Sequence, residues 1–478
     1  MKERILHVNK LNLEGGKLTL FFKSKRIQKL LKNAGLFAVA NMMSKVAALV
    51  IVPLCTYYMT TEEYGIVDTV ITTVNLLLPL VSLGIYEAVL RYGMKDNVNQ
   101  KQILSNAFFI IFFSGILLFA LFPFLCKVKI IGDYYLIFCI ILILEEIVTT
   151  LAAFAKAIDK VKLSVIIGVT RTFVLFAGVM IFVVGLGLGV KGYLYGIVLS
   201  LICALIGYVF SMNLFRYLTI VLDFSLIKKM LKYSVPLMIN GMLWWIMQSS
   251  DKYMLIAFEG LDANGIYSVA NKISSIINMV HAIFFQAWQL SAIEEYKNDD
   301  VSKYYSKIIN KYSQAVFIGT IGIVLFTKPI YTWFFATEFK IAWKYSYFLV
   351  LSMVLYSFSS FYGANYTVVE DTKGALKTSM IGAITNFALN LVMIPLFGVQ
   401  GAAITTFVAY LVLWVIRCID TRKYVKIDIN VKYIVTNMGG LVIASAFILT
   451  EIIIFEISAA VILLALLGLN IVAFFKKA

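Results

Sequence analysis

Long apolar segments recur along almost the whole chain, and they constrain the fold more than any other feature of the sequence. Crossing the hydrocarbon core of a bilayer takes about 20 predominantly apolar residues in an α-helix. Hydrophobic residues make up 61% of the chain and charged residues only 14%, with a mean hydropathy of +0.89. A soluble protein could not cover so much apolar surface. The sequence therefore predicts an all-α membrane protein that crosses the bilayer many times.

The apolar segments predict about fourteen transmembrane helices. In chain order they cover residues 35–59, 66–90, 103–125, 134–155, 163–184, 192–214, 235–258, 265–290, 309–329, 341–366, 376–396, 402–416, 433–449 and 452–475. Residues 1–34 hold nine Lys or Arg residues against two acids. This basic segment predicts an amphipathic helix on the cytoplasmic surface rather than a cleavable signal peptide.

The basic residues concentrate in alternate loops, and this asymmetry predicts the orientation of the chain. With a cytoplasmic N-terminus, 32 Lys and Arg residues fall in cytoplasmic segments and six in outside loops. Cytoplasmic loops of membrane proteins carry such an excess. We therefore predict a multi-pass protein of the cell membrane with both termini in the cytoplasm. The net charge of +16 is a topology signal, and nucleic acid is excluded as a partner.

Two short motifs repeat along the chain with nearly the same offset. Glu63-Tyr-Gly-Ile66 opens the second span and Ala263-Asn-Gly-Ile266 opens the eighth, while Gly189-Val-Lys-Gly192 precedes the sixth and Gly398-Val-Gln-Gly401 the twelfth. An even number of spans separates the copies, so the repeats are parallel, as in transporters whose site lies between two lobes. The predicted units are a first lobe (35–214), a cytoplasmic linker (215–234), a second lobe (235–416) and a two-helix appendix with the cytoplasmic C-terminus (417–478).

The eighth span carries a polar stripe along one face. Its members fall within about 120° of arc at 100° per residue; they are Ser268, Asn271, Lys272, Ser275, Asn278, Gln286 and Gln289. Hydrogen bonds between helices would explain the serines and asparagines but not a lysine. A water-lined cavity explains the whole stripe, so we predict that Asn271, Lys272 and Asn278 bind substrate.

The seventh span adds Gln248, Asp251 and Lys252. Gln248 and Lys252 are predicted to line the cavity, although Lys252 could instead extend to the outer interface. Asp251 has two alternative roles. It is either a counter-ion to Lys272, which we favour, or a site that binds H⁺ or Na⁺ and couples transport to an ion gradient.

The first lobe also carries charges at membrane depth. Lys45 lies near the middle of the first span, one turn from Asn41, and Arg171 lies in the fifth span. Intramembrane charges usually face a wet cavity or pair with each other. We expect Lys45, Asn41 and Arg171 to bind substrate, with Glu145 or Glu146 neutralising Arg171 or Lys45.

The remaining residues give no sign of bond chemistry. Asp68 and Glu87 lie near the ends of the second span and are predicted to be interfacial. The five cysteines are scattered and the chain has only two histidines, so we predict no metal and no cofactor. No nucleotide-binding or hydrolase motif occurs, and the outside loops are too short for an active site. We therefore predict that the protein is not an enzyme.

Several of these motifs carry a resemblance to a known family. They are Asn41-Met-Met-Ser-Lys-Val46, Tyr64-Gly65, Asp251, Gly265-Ile-Tyr-Ser-Val-Ala-Asn-Lys272 and Ile394-Pro-Leu-Phe-Gly-Val-Gln-Gly-Ala-Ala403. Together and in this order the chain resembles the polysaccharide flippases of the multidrug/oligosaccharidyl-lipid/polysaccharide exporter superfamily. The resemblance covers about residues 35 to 475.

The resemblance implies a flippase for undecaprenyl-diphosphate-linked oligosaccharide repeat units, with other polysaccharide-assembly membrane proteins as candidate partners. A diphosphate headgroup suits a cationic cavity. Two alternatives stay open at this point. One is a cation-coupled multidrug exporter of the same fold, and the other is a membrane glycosyltransferase or polymerase.

Overall fold

The computed structural model describes residues 47, 49–94, 99–120, 132–219, 222–296, 298–369 and 371–475, without the side chains at 240, 241, 243, 244, 246–248 and 290. Within these residues all regular structure is helical, as the composition predicts. The basic segment 1–34 and the candidate site residues Asn41 and Lys45 lie outside the described residues. The side chain of Gln248 does so too.

Six helices follow the helical residues 49–56 in the described part of the first lobe. They are α1 (Thr61–Val81), α2 (Ile85–Gly93), α3 (Gln100–Ala120), α4 (Tyr135–Ala157), α5 (Val161–Val179, continued by a π-helix at Met180–Gly185) and α6 (Gly189–Met212). A capping box fixes the start of α1. The Thr60 hydroxyl accepts from the Glu63 amide, and the Glu63 carboxylate accepts from the Thr60 amide. Helix α4 packs against both α2 and α6.

The second lobe and the appendix follow as seven helices among the described residues. They are α7 (Phe224–Glu259), α8 (Leu261–Glu295), α9 (Val301–Phe334), α10 (Ala342–Val368), α11 (Thr372–Asp420), α12 (Val431–Leu449) and α13 (Ile453–Phe475). Helix α10 is the centre of the lobe. In its most apolar stretch 78% of the residues are buried, a larger share than in the other described candidate spans. It packs against α8, α9 and α11. The α12–α13 pair packs onto α9.

Eleven described helices are long and apolar enough to cross a membrane, so the multi-pass prediction is confirmed. The count of fourteen stays a prediction. Helix α11 alone covers the predicted spans 376–396 and 402–416, and it is interrupted at Gly398, where φ is 54° and ψ −133°. Its two arms fold back on each other, since Arg417 on the second arm donates to Thr378 and Ser379 on the first.

One predicted span is wrong. The second span is not continuous, because Leu83 and Gly84 adopt left-handed φ angles of 51° and 62° between α1 and α2. A helix cannot pass through such residues. The linker 215–234 stays a prediction. Its second half is helical, because α7 begins at Phe224, where the Asp223 carboxylate accepts from the Leu226 amide at 2.9 Å.

The repeated glycines have the same local geometry in both lobes. Gly189 and Gly398 both have positive φ, 52° and 54°. A Cβ atom on Gly192 would lie 2.7 Å from the Phe182 carbonyl oxygen, and one on Gly401 would lie 2.0 Å from that of Met393. Each motif therefore forms a tight hairpin between two helices, as expected for an internal repeat.

Helix α7 links the lobes. Its first turns pack on α2 and α3 of the first lobe, with the Ser234 hydroxyl donating to the Leu83 carbonyl at 2.7 Å. Its later turns pack on α11 of the second lobe. The lobes also meet where α1 packs against α7 and α8, and this contact borders the site described next.

Candidate functional site

A cavity of about 210 Å³ lies between α7, α8, α10 and α11. Its polar lining consists of Asp251, Lys252, Tyr267, Ser268, Asn271, Lys272, Ser275, Asn278, Tyr356, Asn386, Thr406 and Tyr410. Five members of the predicted polar stripe of α8 therefore line one cavity. Helical periodicity alone placed them on a common face, and the structure shows that this face borders open space.

Lys252 joins the cavity to the first lobe. Its Nζ atom lies 2.8 Å from Oδ2 of Asp68 and 3.4 Å from the Thr72 hydroxyl. The two charged side chains are only 16% and 9% exposed. The interfacial placement predicted for Asp68 is therefore wrong. Asp68 lies two turns inside α1, on the face that packs against the second lobe, and it is buried there.

Lys272 is the second cavity cation. It is half-buried, and no carboxylate of the described residues lies within ion-pair distance of it. An ammonium group in a membrane protein is costly unless it is paired or solvated. Asp68 attracts Lys272 only from beyond ion-pair distance, so water or a ligand in the cavity must supply the close contacts of its ammonium group.

Asp251 does not pair with Lys272. Its buried carboxylate accepts a hydrogen bond from the Tyr267 hydroxyl and another from the Lys252 backbone amide at 3.0 Å. The counter-ion interpretation has no contact to support it among the described residues. The alternative, a site that binds a coupling ion, stays a prediction.

The charges of the first lobe lie elsewhere. Arg171 donates two hydrogen bonds to Glu145, at 2.8 and 2.6 Å, so one of the predicted pairings is formed. Arg171 borders a separate cavity of about 420 Å³ between α2, α4, α5 and α6. Glu146 is fully buried against α3, where the Ser114 hydroxyl lies 3.2 Å from each carboxyl oxygen. None of the three lines the second-lobe cavity.

Sequence reasoning missed one buried cation, Arg417. The predicted twelfth span ends at residue 416 and leaves Arg417 in a cytoplasmic loop, but α11 continues to Asp420 and Arg417 is only 6% exposed. Its guanidinium donates to the Ser359 carbonyl at 3.1 Å and the Ser379 hydroxyl at 2.9 Å. Continued helical periodicity beyond residue 416 was the available signal. The lining residue Asn386 had a signal too, because it shares a helical face with Thr378, eight residues before it, and Asn390, four residues after it. Thr406 and Tyr410 lie in the largely apolar second arm and were not predicted.

Comparison with known proteins decides the family. Residues 30–289 match the family model described as "Polysaccharide biosynthesis protein", which is more than half of the chain. The protein belongs to this polysaccharide biosynthesis family. One curated relative is the probable low-salt glycan biosynthesis flippase Agl15 of Haloferax volcanii, 25% identical over 223 residues. That alignment covers 45% of this chain and 44% of the relative, so the chain matches less than half the length of Agl15.

Solved structures show the fold of this family member. One is the lipid II flippase MurJ in an inward closed conformation. The match covers 92% of this chain and 99% of the MurJ chain, with a TM-score of 0.65 and 14% identity. Another is an inward-facing multidrug resistance MATE transporter of the MOP superfamily. The match covers 82% of this chain and 95% of the transporter, with a TM-score of 0.61 and 14% identity. The two-lobe fold predicted from the repeats is thus that of MurJ and the MATE transporters.

Proposed function

We propose that the protein is a flippase that moves undecaprenyl-diphosphate-linked oligosaccharide repeat units across the cytoplasmic membrane by alternating access. The observation that carries this proposal is Lys272, a cavity cation with no acid partner among the described residues. The family description and the name of the relative Agl15 support a flippase in glycan biosynthesis, and the MurJ-like fold is compatible with it. The undecaprenyl-diphosphate carrier is implied by the sequence resemblance. Both termini are proposed to lie in the cytoplasm.

The electrostatics of the cavity favour a multiply anionic ligand. Two ammonium groups, Lys252 and Lys272, face the same space, and charges attract strongly where solvent screening is weak. Hydrogen bonds from charged donors to phosphate are among the strongest in proteins. Asn271 and Asn278 add amide donors to the lining. A diphosphate could therefore bind both lysines and one or more amides at once.

The size of the cavity limits what binds in this conformation. Its volume of about 210 Å³ is below the roughly 300–1,000 Å³ of typical ligand pockets. It accommodates the headgroup but not the oligosaccharide. Passage of the sugar therefore requires the lobes to separate, while the lipid tail stays in the bilayer through a gap between them.

Residues outside the described part of the chain are proposed to complete the site. Lys45, Asn41 and the Gln248 side chain would contribute from spans 1 and 7. Arg171 is proposed to contribute little net charge, because Glu145 neutralises it. Asp251 is proposed to bind H⁺ or Na⁺ if transport is ion-coupled, since its carboxylate lines the cavity.

A second candidate is a cation-coupled multidrug exporter. The buried Asp251 carboxylate and the tyrosines Tyr267, Tyr356 and Tyr410 would suit a cationic aromatic drug. Binding to the purified protein separates the candidates. If the protein is the proposed flippase, a short-chain prenyl diphosphate should bind and a cationic dye should not. If it is a multidrug exporter, the dye should bind and the diphosphate should not.

A deletion strain tests the proposed function directly. We expect radiolabelled lipid-linked oligosaccharide to accumulate on the cytoplasmic side of the membrane, and wild-type protein to restore its export. Lys272→Ala should not restore export although it reaches normal abundance. Unchanged export in the deletion strain would contradict the proposal.

A further inference from the structure

The backbones of the two lobes come close together at a pair of glycines that occupy the same place in the two sequence repeats. A Cβ atom on Gly65 of α1 would lie 2.1 Å from the Leu261 carbonyl oxygen of α8. One on Gly265 of α8 would lie 2.0 Å from the Thr61 carbonyl oxygen of α1. Both obstacles are backbone atoms. A methyl group at either position therefore forces the helices apart, because only small residues allow so close an approach.

Polar contacts continue from this crossing down α1 and α7. The Thr61 hydroxyl donates to Asp262 at 2.6 Å, and the Asn264 amide donates to the Gly65 carbonyl at 3.3 Å and to the Thr69 hydroxyl at 3.1 Å. Lys252 binds Asp68 at 2.8 Å, and the hydroxyls of Thr73 and Tyr253 lie 2.7 Å apart. We call this set of contacts the lobe seam. It extends over three turns of α1 in the half of the membrane that the charge asymmetry predicts to be outside.

Lys252 belongs to the seam and to the cavity at the same time. Its ammonium group holds Asp68 across the seam, and its side chain lines the cavity beside Lys272. The group that would attract an anionic ligand is therefore the group that neutralises a buried carboxylate between the lobes.

We propose that the Lys252–Asp68 pair is a latch that couples substrate binding to opening of the lobe seam. This inference rests on the proposed function, because it takes the ligand to be a lipid-linked diphosphate. A diphosphate competes with Asp68 for Lys252. Once Lys252 turns to the phosphate, Asp68 loses its ion-pair partner and keeps only the longer-range attraction of Lys272.

An unpaired buried carboxylate is unfavourable. Separation of α1 from α7 and α8 exposes Asp68 to water and relieves this cost. A ligand shifts a conformational equilibrium only through different affinities for the two states. Competition for Lys252 supplies such a difference, since the lysine is free to bind phosphate fully only when the seam is open.

The distance between the outer ends of the lobes shows whether the lobe seam is closed or open. Lys191 and Glu338 are exposed residues on the outer turns of the first and second lobes and lie outside the seam. Cysteines at these two positions, in a background without the natural cysteines, would carry spin labels. Double electron–electron resonance in nanodiscs would then give the distance between the two labels. Without ligand we expect mainly the short distance.

Gly65→Ala and Asp68→Asn should each raise the ratio of long to short distances about tenfold, a typical coupling. The matched control is Gly319→Ala, because a Cβ atom on Gly319 would have no neighbour within 4 Å. It should leave the distances unchanged. Asp68→Asn adds no bulk, so it tests the latch even if Gly65→Ala folds poorly. Wild-type distances in both variants would overturn the proposal.

A short-chain prenyl diphosphate tests the competition, with the corresponding prenyl alcohol as the neutral control. The diphosphate should lengthen the distance in wild-type protein. Lys252→Gln should show the long distance without ligand and no further response. Bound diphosphate that leaves the wild-type distance unchanged would overturn the latch while the proposed function stands. Failure of the diphosphate to bind would contradict the proposed function and, with it, this inference.

Discussion

At the scale of single residues, the pairing of each membrane charge indicates its role. Arg171 forms two hydrogen bonds with Glu145, and Lys252 forms one ion pair with Asp68. Lys272 has no acid partner within the described residues. A paired charge can serve the fold, whereas an unpaired charge at membrane depth needs water or a ligand. Lys272 should therefore bear most of the binding, and the Arg171–Glu145 pair should be replaceable as a unit.

Neutralising the whole Arg171–Glu145 pair should preserve export. The double variant Arg171→Gln, Glu145→Gln keeps the polar contact and removes both charges, so we expect near wild-type export and abundance. Arg171→Gln alone leaves a carboxylate that is only 17% exposed without its cation, so folded protein should decrease. Immunoblots measure the abundance of each variant, and complementation of the deletion strain measures export. An abundant double variant that fails to export would mean that Arg171 itself binds substrate.

The sequence predicted the polar stripe of α8 because helical spacing alone determines which residues share a face. It could not predict the partner of Lys252. Asp68 lies 184 residues away in the chain, and no local pattern shows which helix of the other lobe packs against a given face. Arg417 was missed for a related reason, since the end of an apolar segment does not mark the end of its helix.

At the scale of elements, glycines shape the turns of both lobes. The repeated motifs at Gly189 and Gly398 were predicted to lie between spans, and both residues adopt left-handed φ angles. The break between α1 and α2 was not predicted, because Leu83 lies in an uninterrupted apolar segment. Hydropathy detects a transmembrane segment but is insensitive to the backbone angles inside it.

Gly401→Ala should destabilise the α11 hairpin. The new methyl group would lie 2.0 Å from the Met393 carbonyl oxygen, and overpacking of this kind costs about 1–3 kcal/mol. Thermal unfolding in detergent, followed by tryptophan fluorescence, should show a lower Tm than that of wild type. Gly319→Ala is the matched control and should not lower the Tm. Equal Tm values for the two variants would contradict the close contact.

At the scale of the whole molecule, apolar segments, charge asymmetry and internal repeats were enough to predict a two-lobe membrane protein. The contact between the lobes was not predictable, because it depends on the packing of α1 against α7 and α8. The repeat itself contains a hint. Gly65 and Gly265 are equivalent in sequence, and equivalent residues of two repeats meet at the axis that relates them.

The predicted orientation can be tested by labelling cysteines in intact cells. Cysteines at Lys191 and Glu338, which are exposed and predicted to lie outside, should react with an impermeant maleimide. Cysteines at Lys229 and Lys373 should react only after the membrane is permeabilised, because their segments belong to the basic side. Labelling of Lys229→Cys in intact cells would contradict the predicted orientation.

The central claim is that Lys272 binds the diphosphate of the transported lipid. Its most direct test is flipping of a fluorescent undecaprenyl-diphosphate oligosaccharide by the purified protein in proteoliposomes, read out as access of an impermeant sugar-modifying enzyme. Wild-type protein and the surface control Lys101→Ala should flip it at the same rate. Lys272→Ala should be slower by about tenfold or more, the effect of losing roughly 1.4 kcal/mol of binding. Flipping by Lys272→Ala at the wild-type rate would contradict the account.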